Sequence, residues 1–320
     1  MKILNIIVGI ITVIILTGSF MVPTFNSLTD NDSLDVLVIT GQSNAAYRES
    51  YNYRVSPEVA TANLGESPDL FYYGTATAPA SYEVIGDPTY DTTFESYSIQ
   101  RMCEGDSYVI GGLEAPLAIT IHNKTGNDVL ILNVAVSGAP IDWLSPTGSW
   151  GTFATGVIEH ALADVSGQYD KINKIGWICL QGEADTSTAI DTYKTKFMRM
   201  ADYLGSMGFD TGYIVPSRTT IGGNSVIAQK ELAEEYSNIH IVADGLADTF
   251  TTANGLLYSD AIHYTELGRI KIGIEAANNM ELPAKSAIST VEPLIKIIPI
   301  MVIVALLMAA VGAIVLRRAD

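Results

Sequence analysis

The 320-residue sequence predicts an α/β domain on a parallel sheet, with an apolar segment at each end. Three observations carry this. Between Asp30 and Glu292 lie roughly 260 residues, enough to bury one sizeable core. Within them, short unbroken runs of Val, Ile and Leu alternate with stretches whose apolar residues recur at helical spacing. The two ends, Ile3 to Val22 and Ile297 to Leu316, are too long and too apolar to be core elements.

Residues 1–29 read as a signal peptide or signal anchor: Lys2 precedes a stretch without charge that reaches Thr29. Its apolar run exceeds the roughly 7–15 residues of a cleaved leader and no clear cleavage site follows, so cleavage and retention both stand. Residues 291–320 read as a C-terminal transmembrane helix with a short basic tail. Ile297 to Leu316 carries no polar side chain over the roughly 20 residues that cross about 30 Å of hydrocarbon, and Arg317 and Arg318 follow it. Cations beside membrane segments favour the cytoplasm, which places residues 30–290 outside the cell membrane as an ectodomain.

Inside that ectodomain the first strand is Asp35 to Gly41 and the second Asp128 to Ser137. The third spans Lys174 to Gly182, and Gly212-Tyr-Ile-Val-Pro-Ser and Asn238-Ile-His-Ile-Val-Ala-Asp supply the fourth and fifth. Strands apolar on both faces are expected where helices cover both sides of a sheet. Ile190, Tyr193, Phe197, Ala201 and Leu204 make a helical stripe that stops at Gly205, an expected C-cap. Leu267, Ile270, Ile274 and Ala277 make another. From Tyr47 to Tyr108, a stretch holding nine of the 16 tyrosines, no period is sustained, so this segment is expected to be a surface insertion or a satellite core under a long loop.

From Asp30 to Glu292 there are 14 Lys and Arg against 34 Asp and Glu, a net −20. Such a field repels phosphate backbones, which argues against nucleic acid as a partner. Cys103 and Cys179 are far apart and lack ligand or nucleophile patterns; one disulfide and two buried thiols are both open. His122, His160 and His240 are scattered without ligand spacing, so no metal and no cofactor are expected.

In an open parallel sheet, ligands bind beyond the carboxyl ends of the strands. There the sequence is polar or glycine-rich: Gly41-Gln42-Ser43-Asn44 after the first strand, Ser137-Gly138-Ala-Pro-Ile-Asp-Trp143 after the second, and Gln181-Gly182-Glu183-Ala-Asp185 after the third. Asp260-Ala-Ile-His263 stands just ahead of the last helical stripe. Each alone is common, but together and in this order they resemble the SGNH (GDSL-like) hydrolase superfamily, specifically its sialate O-acetylesterase-like branch of carbohydrate esterases. Gly111-Gly112-Leu113-Glu114 is similar to the G-x-E segment of that branch. The resemblance covers nearly the whole ectodomain and implies a three-layer, flavodoxin-like SGNH hydrolase fold with a five-stranded parallel sheet.

Carried over by residue, the resemblance makes Ser43 the nucleophile, His263 the general base and Asp260 the carboxylate that orients it. The chemistry agrees: a serine hydroxyl attacks only when a base removes its proton, and a carboxylate on one imidazole nitrogen leaves the other facing the serine. Oxyanion donors are then expected from the backbone N–H of Ser43 at a helix start, the backbone N–H of Gly138 and the side-chain amide of Gln181. Gln42, Asn44, Glu183 and Trp143 complete the expected binding residues. Ser137 departs from the branch, which more often has two glycines here, and this puts the loop geometry in question. Glu183 and Asp185 also invite a two-carboxylate glycosidase reading, against the plainer role of bracing the Gln181 loop.

The expected function is a membrane-anchored serine esterase acting on O-acetylated carbohydrates. The alternative is a non-catalytic surface carbohydrate-binding or adhesion module on the same fold. The oligomeric state is left open.

Overall fold

The computed structural model describes residues 33–46, 57–65, 69–74, 98–104 and 107–282. The chain divides after Pro283, and the second unit, Ala284–Asp320, lies outside the described residues, as does the N-terminal segment 1–29. Among the described residues no helix is long and apolar enough to cross a membrane.

Nine strands are described. β1 (Ser33–Gly41), β2 (Leu70–Gly74), β3 (Ser98–Arg101), β6 (Asp128–Asn133), β7 (Lys171–Leu180), β8 (Gly212–Ile214) and β9 (Ile239–Ile241) form one sheet in the order β3-β2-β6-β1-β7-β8-β9. β4 (Cys103–Glu104) and β5 (Ser107–Tyr108) form a separate hairpin. Only β3 runs antiparallel within the large sheet. The five strands expected from sequence are β6, β1, β7, β8 and β9, in the 2-1-3-4-5 order of flavodoxin-like sheets. The expectation of five strands is short by two, because β2 and β3 arise inside the Tyr47 to Tyr108 segment and extend the sheet beyond β6. The segment expected as a surface insertion or a satellite core is, where described, part of the sheet and of the main core: Ala60, Leu70, Met102 and Tyr108 are all buried there.

The two faces of β1 explain the layers. Side chains alternate along a strand, so Leu37 and Ile39 enter one core while Leu34, Val36 and Val38 enter the other. The first core is closed by α2 (Glu114–Thr125) and α7 (Glu266–Asn279), with α1 (Pro57–Leu64) beside them. The second is closed by α3 (Ser149–Val165), α4 (Ile190–Ser206) and α6 (Asn224–Glu235). A short α5 (Thr219–Gly222) precedes α6, and a 3-10 turn (Leu246–Thr249) follows β9. The expected cap at Gly205 is displaced: α4 runs through it to Ser206, and the left-handed glycine of the turn is Gly208, at φ 88°. Cys103 and Cys179 are both buried free thiols.

Candidate active site

β1 ends at Gly41 and the chain turns at once. The N–H groups of Ala45 and Ala46 both donate to the Gln42 carbonyl, at 2.8 and 2.9 Å. This turn lifts Ser43 off the sheet and leaves it half-buried. The expected helix start is, in the described residues, this one turn. Gly41 has φ 126°, and a Cβ there would lie 2.1 Å from the Leu180 carbonyl oxygen, so the turn can rest against β7 only without a side chain at 41.

Facing it is the loop ahead of α7. Asp260 Oδ1 accepts from the backbone N–H groups of Ile262 and His263, at 2.9 and 3.0 Å, which fixes the carboxyl. Its Oδ2 lies 2.7 Å from His263 Nδ1, and His263 Nε2 lies 2.8 Å from Ser43 Oγ. Ala261, between them, sits at φ 57°, a left-handed conformation that costs a non-glycine residue on the order of 1 kcal/mol and persists only when its surroundings hold it. Arg218 does so in part, donating from Nη1 to the Ala261 carbonyl at 2.6 Å.

Asn44 joins three loops. Its Oδ1 accepts from Tyr264 N–H at 2.9 Å, and its Nδ2 donates to Glu183 Oε1 at 2.9 Å and to the Ile262 carbonyl at 3.4 Å. Gln42 is also turned inward, its Oε1 accepting from the N–H groups of Gly182 and Ala184, both at 3.3 Å. Both amides are buried and committed to the frame rather than to a ligand.

The assignment of Gln181 as an oxyanion donor needs correction. Its side chain is fully buried; its Nε2 donates to Asp185 Oδ2 and, at 3.4 Å, to the Ala139 carbonyl, while its Oε1 accepts from Tyr193 Oη at 2.7 Å. An amide spent in this way offers nothing to a reacting group. Asp185 is spent too: Oδ2 also accepts from Ile141 N–H at 2.7 Å and Oδ1 from Thr188 Oγ1 at 3.0 Å. With Glu183 bonded to Asn44, the two carboxylates brace loops and do not flank a sugar ring.

Gly138 takes the positive φ of its turn, 76°, and is exposed; Ser137 does not have a positive φ, so its departure from two glycines introduces no backbone strain. Among the described residues neither the Ser43 nor the Gly138 N–H donates to a backbone carbonyl. Trp143 is half-buried, packed against the core on the α3 and α4 face.

Several supporting residues escaped the sequence. Tyr193 Oη accepts from Gln229 Nε2 at 2.8 Å, and Gln229 also holds the Gln181 carbonyl at 2.6 Å. Asn133, ending β6, donates to the Ala45 carbonyl and to Glu114. The available signal was a polar residue inside an apolar run, Asn133 in the second strand run; Glu266 and Arg269 are buried on α7 beside Ile270 and Ala277, whereas Leu267 of the expected stripe is 41% exposed.

Burial pushes the Glu114 carboxyl up to about 7, while the Asn133 hydrogen bond and the Arg269 charge act in the opposite sense. In the unfolded chain it titrates near 4.5, so the folded state binds the proton more tightly. Its stabilising contribution is complete below about 4.5 and is lost as pH rises through about 7. Denaturant titrations should therefore show the unmodified protein losing stability relative to Glu114→Gln across that window, by roughly 3 kcal/mol. Parallel pH profiles for the two proteins would contradict this.

Among the described residues no three His, Cys, Asp or Glu side chains gather as metal ligands would. His122 Nδ1 lies 2.8 Å from the Asn127 carbonyl oxygen, and His240 packs on Tyr213.

No family model and no curated protein sequence matches the chain. Solved structures do. NanS aligns with a TM-score of 0.50 at 12% identity, over 78% of this chain and 97% of its own. The likeness is one of fold. A protein of Arabidopsis thaliana aligns with a TM-score of 0.49 at 13% identity, over 76% of this chain and 96% of its own. A carbohydrate acetylesterase from Xanthomonas citri aligns with a TM-score of 0.49 at 16% identity, over 76% of this chain and 54% of its own.

Proposed function

We propose that the protein is an SGNH-type serine esterase that removes O-acetyl groups from carbohydrates. The observation that carries the reading is His263, bridging Ser43 Oγ at 2.8 Å, on the turn after β1, and Asp260 at 2.7 Å, on its own loop ahead of α7. In this reading His263 Nε2 takes the Ser43 proton as Oγ attacks the acetyl carbonyl. The oxyanion is met by the N–H groups of Ser43 and Gly138, each such donor being worth roughly 3–4 kcal/mol in favourable cases. Collapse expels the sugar oxygen, which leaves with the proton from His263, and an acetyl-serine remains. Water, deprotonated by the same nitrogen, then releases acetate. Asp260 holds the imidazole in the tautomer that keeps Nε2 unprotonated. The carbohydrate acetyl ester as substrate rests on the GQSN, QGEAD and DAIH resemblance.

The proposed setting is the cell membrane, with residues 297–316 spanning it and the acidic ectodomain outside. Two assays test the proposal on the full-length protein. Incubation with p-nitrophenyl acetate and then with O-acetylated glycans should release acetate from both. Protease added to intact cells should degrade the ectodomain while a tag after Asp320 stays protected. Glycan binding without acetate release would favour the non-catalytic module, and loss of the tag would overturn the orientation.

A further inference from the structure

Behind the nucleophile turn lies a buried polar chain that the proposed reaction does not use. Asn133 donates from Nδ2 to the Ala45 carbonyl at 2.9 Å and to Glu114 Oε1 at 2.5 Å, while its Oδ1 accepts from Ala135 N–H at 3.0 Å. Both amide hydrogens and the amide oxygen are committed, so the side chain has one orientation. Glu114 opens α2 at 1% exposure, faced from α7 by Glu266 and Arg269, at 4% and 3%. Glu266 Oε1 in turn accepts from Gly112 N–H at 2.9 Å. A carboxylate at such depth opposes folding unless its contacts do something an apolar side chain would not.

What Glu114 contacts is the back of the turn. The Ala45 and Ala46 amides close the turn on Gln42, but those bonds leave the Ala45 carbonyl to be fixed from outside, and Asn133 fixes it. We propose that Glu114 is a positioning residue for the nucleophile, holding Asn133 so that its amide pins the Ala45 carbonyl and, with it, the turn that presents Ser43 to His263. The catalytic consequence rests on the esterase reading; the structural one does not. Misplacement of a reacting group by about 1 Å costs on the order of 100-fold in rate, so a loosened turn is visible in turnover.

The test uses full-length Glu114→Leu, Glu114→Ala, Glu114→Gln, Asn133→Leu and the Glu114→Leu/Asn133→Leu double variant. Hydrogen exchange is followed in the peptide covering residues 42–46 and, as a control, in β1. The apolar single variants should speed exchange at Ala45 and Ala46 about tenfold without changing protection in β1. Glu114→Gln, which keeps an acceptor oxygen, should restore it to within about threefold. In parallel, kcat on p-nitrophenyl acetate should fall about tenfold or more with KM unchanged, and the double variant should lose no more than Asn133→Leu alone, the signature of two residues acting through one link. Unchanged exchange at the turn, an equal rise in β1, or additive losses in the double variant would each overturn the proposal. A loosened turn in a protein whose unmodified form hydrolyses no ester would leave the positioning role standing and remove the esterase reading. Glu114→Ala supplies the same comparison if the leucine variant does not fold.

Discussion

Ser43→Ala is expected to abolish ester hydrolysis, by a factor on the order of 10⁶, while the protein melts within a few degrees of the unmodified chain. The loss is near total because nothing nearby can replace the nucleophile. Cys179 is fully buried in β7, and burial raises its thiol pKa, so a thiolate is not at hand. Thr40 is buried too, its hydroxyl directed at Met200 Sδ. The fold survives because Ser43 is half-buried at a strand end and loses one side-chain hydrogen bond, worth roughly 1 kcal/mol. Acetate release and a circular-dichroism melt check the two halves. Residual activity within tenfold of normal would sink the assignment of Ser43.

Asp260→Asn should be nearly as damaging, costing roughly 10³–10⁴ in turnover with little change in stability. The local geometry gives the reason. Oδ1 of residue 260 accepts from two backbone N–H groups, so an asparagine will place its oxygen there and turn its NH₂ toward His263. That NH₂ donates to Nδ1 and forces the proton onto Nε2, the nitrogen that must take the Ser43 proton. Asp260→Ala should be less well ordered and no more active. Steady-state kinetics on p-nitrophenyl acetate decides it: an asparagine variant within threefold of normal would mean that the imidazole takes its orientation from elsewhere.

The parts legible in the sequence are those where one residue type does one physical task over a sufficient length. Five of the parallel strands could be read because runs such as Val-Leu-Val-Ile are apolar on both faces, and their ends pointed to Ser43, Gly138 and Gln181. The order of short motifs also pointed to Asp260 and His263, which meet Ser43 only because α7 returns to the first core. β2 and β3 were not legible. At five and four residues they are too short to display a period, and pairing with β6 decides their state more than their own composition does.

The errors within the site have one cause. Sequence position at a strand end does not say which way a side chain turns, so Gln42, Asn44 and Gln181 were all assigned outward. The structure turns them in, where each amide satisfies backbone groups of neighbouring loops. Buried polar groups need partners, and at the carboxyl end of this sheet the backbone of three loops supplies them. Asn133 escaped, and Glu114 was noticed only through its G-x-E resemblance and without a role, for the complementary reason: their contacts join different elements, and no local pattern records such a link.

An activated Ser43 should react with an electrophile that a resting serine ignores. The most direct measurement treats the full-length protein with a fluorophosphonate and locates the adduct by mass spectrometry. One label is expected, on Ser43, lost in Ser43→Ala and greatly slowed in a His263→Ala variant. A label elsewhere, or none on a protein that releases acetate, would contradict it.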